Sequence, residues 1–544
     1  MAKMTGGQAI VRTLINHGVD TIFGLPGVQL DNTFDALYEV KNQLRTIHTR
    51  HEQGAAYMAL GYAQASGKVG ACIVGPGPGL LNAGAALCTA YGSNVPVICI
   101  AGQIPSNQIG VGLGATHEII DQTSAMRGVV KWVGRADQPS DTPAVLHEAF
   151  SQMLGTRQLP VIFEMAPDIM GKMEDVSLMD VEDYDAAPEP DETALEKAAK
   201  LLGEAENPII FVGSGVFGAE AELRRLAELL EAPVIMSRTG RGALTDRHYL
   251  AQNMITGQEL WETADVALVI GTRFSSPGLA WGRERDVTLI RIDLDPAQAK
   301  LPREADITAI TSAKKALPVL AEKIKPHNKK RESRESELNA AKADTIAKLE
   351  GLDPQFGFGK VIRDALPEDG VLVTDVTQMA TYMQNWMPVY HPRTLITPGY
   401  QATLGYGYPT ALGAKVALPE KKVICIAGDG GFMFNVQEMS SAVAHGIDVT
   451  CIVFADKAYG NVKRFQKEGY GGRHIAVDLH NPEFAKMAET YGMNGIYADG
   501  PDALAAALKE TMNTPGPALI EVPIGEVPNT WALIKRPSSA GNKS

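Results

Sequence analysis

Short runs of β-branched and other apolar residues recur along the chain, and many end in a glycine-containing turn before a helical stretch. Examples are VPVICIAG (95–102), NPIIFVGSG (207–215) and VICIAGDG (423–430). Strands that alternate with helices pair in parallel, because each helix returns the chain to the start of the next strand. A parallel sheet is buried on both faces by such helices. The sequence therefore predicts an α/β chain built from doubly wound parallel-sheet domains.

The chain divides into three such blocks, because 544 residues are too many for a single core. We predict a first domain over 1–175, a second over 190–330 and a third over 355–535. The acidic, irregular stretch 172–192 is predicted to link the first two. The charged stretch 322–350 is predicted to form a solvated interdomain helix. The tail 536–544 (RPSSAGNKS) is predicted to be disordered.

The overall charge and the apolar content exclude several classes of partner. A formal charge of −13 argues against nucleic acid or an anionic membrane surface as a partner. No apolar run approaches the length of a membrane span, and the first residues lack the apolar segment of a signal peptide. The 5 cysteines show no CxxC spacing, which is typical of buried thiols in a reducing compartment. We therefore expect a cytoplasmic protein.

Two acids follow two apolar strands of the third domain. Asp429 lies in a Gly-Asp-Gly turn after VICIA (423–427), and Asp456 follows VTCIVFA (449–455), 27 positions later. An intervening helix over 435–445 would bring both acids to one edge of the sheet, where doubly wound proteins bind ligands. Two carboxylates there suit Mg²⁺, and neighbouring glycine N–H groups suit phosphate. The alternative is that each acid only caps or stabilises a turn.

The Gly-Asp-Gly motif, this spacing and the turn ending in Tyr459-Gly460 resemble the signature of thiamine-diphosphate enzymes. The resemblance covers nearly the whole chain and is greatest to the acetolactate synthase-like and benzaldehyde lyase-like group. It implies pyrimidine-binding, central and diphosphate-binding domains, in that order. It also implies that Asp429, Asp456 and the carbonyl of Ala458 bind Mg²⁺. The family usually has Asn-Asn where this chain has Ala455-Asp456, so the second ligand carries a charge here.

Glu52 opens a predicted helix rich in small residues, within RHEQGAAYMALGYAQA (50–65). A glutamate at a helix start commonly complements the helix dipole. A fixed carboxylate can instead share a proton with the aminopyrimidine of the cofactor through a charge-assisted hydrogen bond. The resemblance implies this second, catalytic role for Glu52. Because family members hold the cofactor between two subunits, it also implies a homodimer or homotetramer with active sites at the subunit interface.

The resemblance implies further contacts to the cofactor from four segments, 376–379, 402–404, 428–431 and 459–461. Leu404 would lie under the bend between the two cofactor rings, and the carbonyl of Ala402 would accept a hydrogen bond from the 4′-amino group; the alternative for Leu404 is an ordinary core residue. The other predicted cofactor-binding residues are Val376, Thr377, Gln378, Met379, Gly428, Gly430, Gly431, Tyr459, Gly460 and Asn461.

Four residues are predicted to face the substrate. By the same resemblance Gln29 and His117 would lie near the reactive carbon as catalytic residues, although a single loop histidine is otherwise commonly a surface residue. Arg464 and Phe465 would contact the substrate from a lid after the metal turn. Acetolactate synthases carry an arginine where this chain has Pro277, and this difference weakens the prediction of true acetolactate synthesis.

The resemblance implies a lyase or carboligase that acts on 2-keto acids or hydroxyketones through a C2 carbanion and an enamine. The alternatives are a simple 2-keto acid decarboxylase, a benzaldehyde lyase-like enzyme or an acyl-CoA-using enzyme. A more distant alternative is a nicotinamide-dependent dehydrogenase, because GSGVFG (213–218) matches GxGxxG. A nicotinamide-binding motif needs an acid after the next strand, where this chain has Arg238. This difference argues against a nicotinamide-dependent dehydrogenase. Some relatives hold FAD or an ADP group in the central domain; an empty central domain is favoured here.

Overall fold

The computed structural model describes residues 1–181, 184, 186–282 and 286–534. The tail 536–544, predicted to be disordered, lies outside the described residues. The chain forms two compact units. One comprises the described residues of 1–186, 371–377 and 398–524. The other comprises those of 187–370 and 378–397 and those after 524.

The first domain is a six-stranded sheet with helices around it. Its elements are β1 (Ala2–Thr5), α1 (Gly6–Asn16), β2 (Thr21–Gly24), α2 (Asp31–Glu39), β3 (Arg45–His48), α3 (Glu52–Ser66), β4 (Gly70–Val74), α4 (Pro78–Ser93), β5 (Val97–Gly102), α5 (Gln122–Met126), β6 (Trp132–Arg135), α6 (Thr142–Leu154), β7 (Val161–Met165), α7 (Pro167–Gly171) and β8 (Met173–Val176). The strand order is β3-β2-β4-β5-β7-β6, and every pairing is parallel. Strands β1 and β8 form a separate antiparallel pair.

The central domain has a second six-stranded sheet. Its elements are α8 (Glu192–Glu204), β9 (Pro208–Val212), α9 (Glu220–Leu230), β10 (Val234–Met236), β11 (Ala251–Gln252), α10 (Met254–Leu260), β12 (Val266–Ile270), α11 (Ser275–Ala280), β13 (Thr288–Asp293), β14 (Ile307–Ile310), α12 (Ala313–Ile324) and α13 (Glu335–Glu350). The order is β11-β10-β9-β12-β13-β14, all parallel. Phe211, Leu268 and Trp261 lie in its core.

The third domain repeats the architecture of the first. Its elements are α14 (Gln355–Ala365), β15 (Val371–Thr374), α15 (Gln378–Trp386), β16 (Leu395–Ile396), α16 (Gly407–Ala417), β17 (Val423–Gly428), α17 (Asp429–Phe432), α18 (Met439–His445), β18 (Thr450–Ala455), α19 (Gly460–Gly469), α20 (Phe484–Tyr491), β19 (Asn494–Tyr497), α21 (Pro501–Asn513) and β20 (Ala518–Pro523). The strand order is β16-β15-β17-β18-β20-β19. Strands β15, β17, β18, β20 and β19 run parallel.

The predicted fold class, three doubly wound α/β domains, is confirmed by these three sheets, while the predicted domain boundaries stay predictions. Two local expectations were wrong in part. The predicted linker 172–192 contains β8, which gains hydrogen bonds from β1. The charged stretch 322–350 is not one helix: α12 ends at Ile324, a 3₁₀ turn spans Lys325–His327, and α13 begins at Glu335.

Helices α3 and α16 join the first and third domains within one compact unit, and they cross at glycines. A Cβ atom at Gly61 would overlap the carbonyl oxygen of Thr410, and one at Gly413 would overlap that of Met58. Glycine at both positions therefore lets the two backbones approach closely. Helix α3 begins at Glu52, so this crossing lies in the same helix as Glu52.

Candidate active site

The two predicted metal-binding acids lie at the same edge of the third sheet. Strands β17 and β18 are neighbours, with Gly428 paired to Phe454, so the residues that follow them emerge side by side. Asp429 is buried and accepts hydrogen bonds through Oδ2 from Asn481 Nδ2 (2.6 Å) and from the N–H of Lys457 (2.8 Å). Its Oδ1 accepts one from the N–H of Gly430 (2.8 Å). The Asp429 carboxylate is therefore held in one orientation.

The electrostatics of this pair favour a bound cation. Burial raises the pKa of Asp429. Burial, together with the nearby charge of Asp429, raises the pKa of Asp456 to about 6. Two carboxylates that repel each other in a partly buried site are stabilised by a divalent ion between them. No cluster of three or more His, Cys, Asp or Glu side chains that suits a metal occurs among the described residues. Backbone, phosphate or water oxygens would therefore complete a Mg²⁺ shell, as is usual for this ion.

The third predicted ligand, Ala458, lies in a turn that hydrogen bonds hold to the segment 477–479. Tyr459 N–H donates to the carbonyl of Val477 (2.8 Å), and Leu479 N–H donates to that of Lys457 (2.8 Å). These bonds flank Ala458 and use neither its N–H nor its carbonyl. The N–H of Ala458 donates to Asp456 Oδ1 (3.1 Å). The turn thus presents Asp456 and the Ala458 backbone together.

Asp375, which sequence reasoning missed, connects Val376 with the loop that carries Ala402 and Leu404, which we call the pyrimidine loop. Asp375 is buried at the end of β15 and accepts N–H bonds from Val376 (2.7 Å), Gly405 and Gly407. Its Oδ2 lies 3.1 Å from where a Cβ at Gly431 would be, and this oxygen lacks a hydrogen-bond partner among the described residues. Burial raises the pKa of Asp375 to about 6.

Two of the other predicted cofactor residues contact the glycines of the Gly-Asp-Gly turn. Thr377 lies over Gly428, and the ring of Tyr459 lies over Gly430. Ala402 is exposed and has a positive φ of 48°, and Leu404 is half-buried. Gly460 and Asn461 begin α19. In the other compact unit, Gln378 and Met379 begin α15, with Met379 buried.

Glu52 is the first residue of α3, as the sequence predicts. The imidazole of His51, at the N-cap, accepts a hydrogen bond from the N–H of Gln53 (3.1 Å). The Glu52 side chain is half-buried, and its Oε2 accepts a hydrogen bond from Asn82 Nδ2 (3.0 Å) on α4. Oε2 is thus held by Asn82, while no described residue donates a hydrogen bond to Oε1, which could therefore meet a ligand.

Of the four predicted substrate residues, Gln29 and His117 contact each other, and Arg464 and Phe465 are adjacent on α19. Gln29 is buried, while His117 is exposed, with a positive φ of 70°. His117 Nδ1 lies 3.2 Å from Gln29 Oε1, and Gln29 Nε2 donates to the carbonyl of Thr116 (3.3 Å). On α19, Arg464 is buried and Phe465 is 57% exposed. The buried position of Arg464 differs from that of a side chain open to substrate.

Sequence reasoning missed five polar residues of the site: Asn82, Asp375, Asn435, Glu438 and Asn481. Asp375 carries a usable signal, because it is an acid directly after a buried strand. Asn82 and Asn481 carry none, since each is a single amide in a helix or loop. Asn435 and Glu438 lie in a segment that the sequence predicts to be an ordinary helix. Instead, a 3₁₀ turn (Val436–Glu438) precedes α18.

The predicted dinucleotide motif has a packing explanation. Gly213 and Gly215 follow β9, and a Cβ atom at either would overlap the turn Gly271-Thr272 that follows β12. The glycines therefore let two neighbouring turns of the central sheet approach each other.

Comparison with known proteins agrees with this geometry. The N-terminal TPP binding domain of thiamine pyrophosphate enzymes matches residues 4–125, the central domain of these enzymes matches 195–320, and their C-terminal TPP binding domain matches 375–522. A probable acetolactate synthase large subunit from Methanocaldococcus jannaschii is 32% identical, over 96% of this chain and 92% of the relative. The chain belongs to the thiamine pyrophosphate enzyme family. The large subunit of acetolactate synthase isozyme 3 from Escherichia coli is 30% identical, over 94% of this chain and 93% of the relative.

The two matched TPP binding domains confirm thiamine diphosphate as the predicted cofactor. The prediction of an acetolactate synthase-like carboligase is confirmed, and it is favoured over the decarboxylase, benzaldehyde lyase-like, acyl-CoA-using and nicotinamide-dependent alternatives. Its substrate is a small molecule. Among the described residues, no helix combines the length and apolarity that crossing a bilayer requires.

Proposed function

We propose that this carboligase uses thiamine diphosphate held by Mg²⁺ and takes a 2-keto acid or hydroxyketone as donor. The observation that carries the proposal is the pair of Asp429, which is buried, and Asp456, which is half-buried, at the end of two adjacent strands. Asp429, Asp456 and the Ala458 carbonyl would hold the ion, which in turn binds the diphosphate. Titration calorimetry with thiamine diphosphate, with and without Mg²⁺, tests this: binding should require the ion, and equal affinity in chelator would contradict it.

The residues around the cofactor divide into those that bind it and those that activate it. When bound, thiamine diphosphate supplies a carbon acid whose conjugate base adds to carbonyl groups. Thr377, Gly428, Gly430, Gly431 and Tyr459 would contact the diphosphate. The other proposed binding residues are Val376, Gln378, Met379, Gly460 and Asn461.

Three residues would position and activate the two rings of the cofactor. Ala402 would accept a hydrogen bond through its carbonyl, and Leu404 would support the bend between the rings. Glu52 would hold a proton at the pyrimidine ring, because Asn82 occupies only one of its carboxylate oxygens. A charge-assisted hydrogen bond of this kind is short and strong in a site that excludes water.

The names of the relatives support a class of donor, and the residue at position 277 bears on the acceptor. Relatives with substantial identity are named acetolactate synthases, which supports a 2-keto acid donor. Pro277 stands where such enzymes carry an arginine that binds the carboxylate of the second keto acid. We therefore propose that the acceptor here lacks a carboxylate at that position. Gln29 and His117 would move or hold protons on the substrate, with Phe465 and Arg464 setting its shape. Product NMR with pyruvate, benzoylformate, acetoin and benzoin as donors tests this; turnover of none of them would contradict the donor class.

We propose that the active protein is a homodimer or homotetramer with sites at the subunit interface. Apolar side chains are exposed near the candidate site in the same compact unit, which supports a covered surface there. They are Val28 (73% exposed), Leu81 (49%), Ile120 (99%), Phe434 (47%) and Phe465 (57%). Light scattering of the active protein tests the proposal, and a fully active monomer would contradict it.

We also propose that the central domain holds neither FAD nor an ADP group. The close packing of Gly213 and Gly215 on the turn at Gly271 supports this, because those glycines already have a structural role. The absorption spectrum of the purified protein, with nucleotide analysis after denaturation, provides the test. A stoichiometric flavin or adenine nucleotide would contradict the proposal.

A further inference from the structure

Glu438 is a fully buried acid with no role in the proposed chemistry. It ends the 3₁₀ turn Val436–Glu438 and is 0% exposed. Both carboxylate oxygens accept the N–H of Arg50 (3.2 Å each), and Oε2 accepts Ser441 Oγ (2.6 Å). Burial raises the pKa of Glu438 to about 7, opposed by Ser441 and by the N–H groups of Arg50 and His51. A buried carboxylate costs stability and is a poor choice for simple packing.

The carboxylate of Glu438 lies at the N-terminus of α3. Arg50 and His51 immediately precede Glu52, the first residue of that helix. The first N–H groups of a helix have no partner within it, and an anion placed there is stabilised by them and by the helix dipole. A Cβ atom at Gly54 would overlap Glu438 Oε1, so glycine at that position admits the carboxylate.

A second contact from the same segment lies on the other side of Glu52. Asn435 Nδ2 donates to Gln53 Oε1 (3.2 Å) and to the carbonyl of Gly405 (2.8 Å). Gly405 directly follows Leu404 in the loop proposed to hold the cofactor rings. The segment 435–438 therefore contacts the residues on both sides of Glu52 and, through Asn435, the pyrimidine loop.

We infer that Glu438 is a positioning residue for Glu52: it fixes the first turn of α3, and with Asn435 it sets the orientation of the Glu52 carboxylate relative to the loop at Leu404. This inference rests on the proposed role of Glu52. It assigns Glu438 no contact with substrate or cofactor. Its removal should therefore impair activation of the cofactor more than binding of it.

The test begins with cofactor-free protein. Amide hydrogen exchange over residues 48–56 is compared in wild type, Glu438→Gln and Glu438→Asp. Glutamine keeps the size but removes the charge and leaves one oxygen in place of the two that accept the Arg50 N–H, so exchange over 50–54 should rise at least about tenfold. Aspartate keeps the charge and should restore part of the protection. Glu164→Gln is the matched control, because Glu164 is also a fully buried acid but bonds to Gln122 instead of α3; it should leave exchange over 50–54 unchanged.

The second part of the test uses protein with bound cofactor. With thiamine diphosphate and Mg²⁺, Glu438→Gln should slow hydrogen–deuterium exchange at the reactive cofactor carbon at least about tenfold, while the cofactor Kd changes less than about threefold. Gly54→Ala, which keeps the acid but displaces it, should act in the same direction if Glu438→Gln does not fold.

Unchanged amide exchange over 50–54, or equal losses in binding and activation, would overturn the inference. If Glu52→Gln slows the cofactor exchange and Glu438→Gln does not, the inference fails while the proposed function stands. If Glu52→Gln has no effect on it, both fail.

Discussion

Nδ1 of His117 lies 3.2 Å from Oε1 of Gln29, although the two residues are 88 positions apart. The exposed imidazole is thereby held by a buried amide. We expect Gln29→Ala to slow turnover about 10- to 100-fold, because His117, proposed to move protons on the substrate, would no longer be held in place and would lose much of the benefit of general acid–base catalysis. Steady-state kinetics with the best donor from the substrate screen measures this, and cofactor affinity should not change. Asn107→Ala, at an exposed position of the 3₁₀ turn Ser106–Gln108, is the control; an equal loss there would contradict a specific role for the pair.

Replacing the two acids at the sheet edge should have unequal effects on Mg²⁺. Asp429→Asn should weaken the apparent Mg²⁺ affinity by about 100-fold, because Asp429 is the proposed ligand whose carboxylate is buried and oriented by hydrogen bonds. Asp456→Asn should weaken it by about tenfold or less, because Asp456 is only half-buried and the family usually carries asparagine at this position. The Mg²⁺ dependence of thiamine diphosphate binding measures both. A larger loss for Asp456→Asn than for Asp429→Asn would contradict the assignment.

The buried Asp375 should make the cofactor-free protein less stable as pH rises. Its pKa is raised from 3.8 to about 6 in the folded state, so the folded chain binds more protons than the unfolded chain between these values. The free energy of unfolding should therefore fall as pH rises from about 4 to 6, by on the order of 3 kcal/mol from this residue. Urea unfolding across that range measures it. Asp375→Asn should reduce the slope and leave the part that comes from Asp456 and Glu438, whose pKa values are also raised; an unchanged slope would contradict the burial of an ionisable acid at position 375.

The crossing of α3 and α16 should be intolerant of side chains. Gly61→Ala would place a methyl group against the carbonyl of Thr410, and such overpacking costs about 1–3 kcal/mol. Thermal unfolding measures the effect. Gly469→Ala is the matched control, because nothing lies near its added Cβ. Equal stability of both variants would show that the helices cross differently.

Much of this architecture follows from local pattern. The buried strands before Gly102, Gly213 and Gly428 are continuous apolar runs ended by glycine, so their position and parallel pairing are readable. Strand β8 is not, because Met173–Val176 is acidic and forms only by pairing with β1. Strand β11 is two residues long and carries too little pattern to detect.

The candidate site is readable to a similar extent. Asp429, Asp456 and Glu52 follow strands or open helices, so their local context marks them. Glu438 was missed because its meaning depends on the N-terminus of α3, almost 400 positions away. The pairing of Gln29 with His117 was also beyond local pattern, since only the folded loops bring them together.

The central claim is that Glu52 activates a cofactor that Asp429 and Asp456 anchor. The most direct measurement is the rate of hydrogen–deuterium exchange at the reactive carbon of bound thiamine diphosphate, followed by NMR in wild type and Glu52→Gln with the site saturated. We predict a loss of at least about 100-fold in Glu52→Gln at a nearly unchanged cofactor Kd, in line with the size of general acid–base effects. Exchange as fast as in wild type would contradict the account.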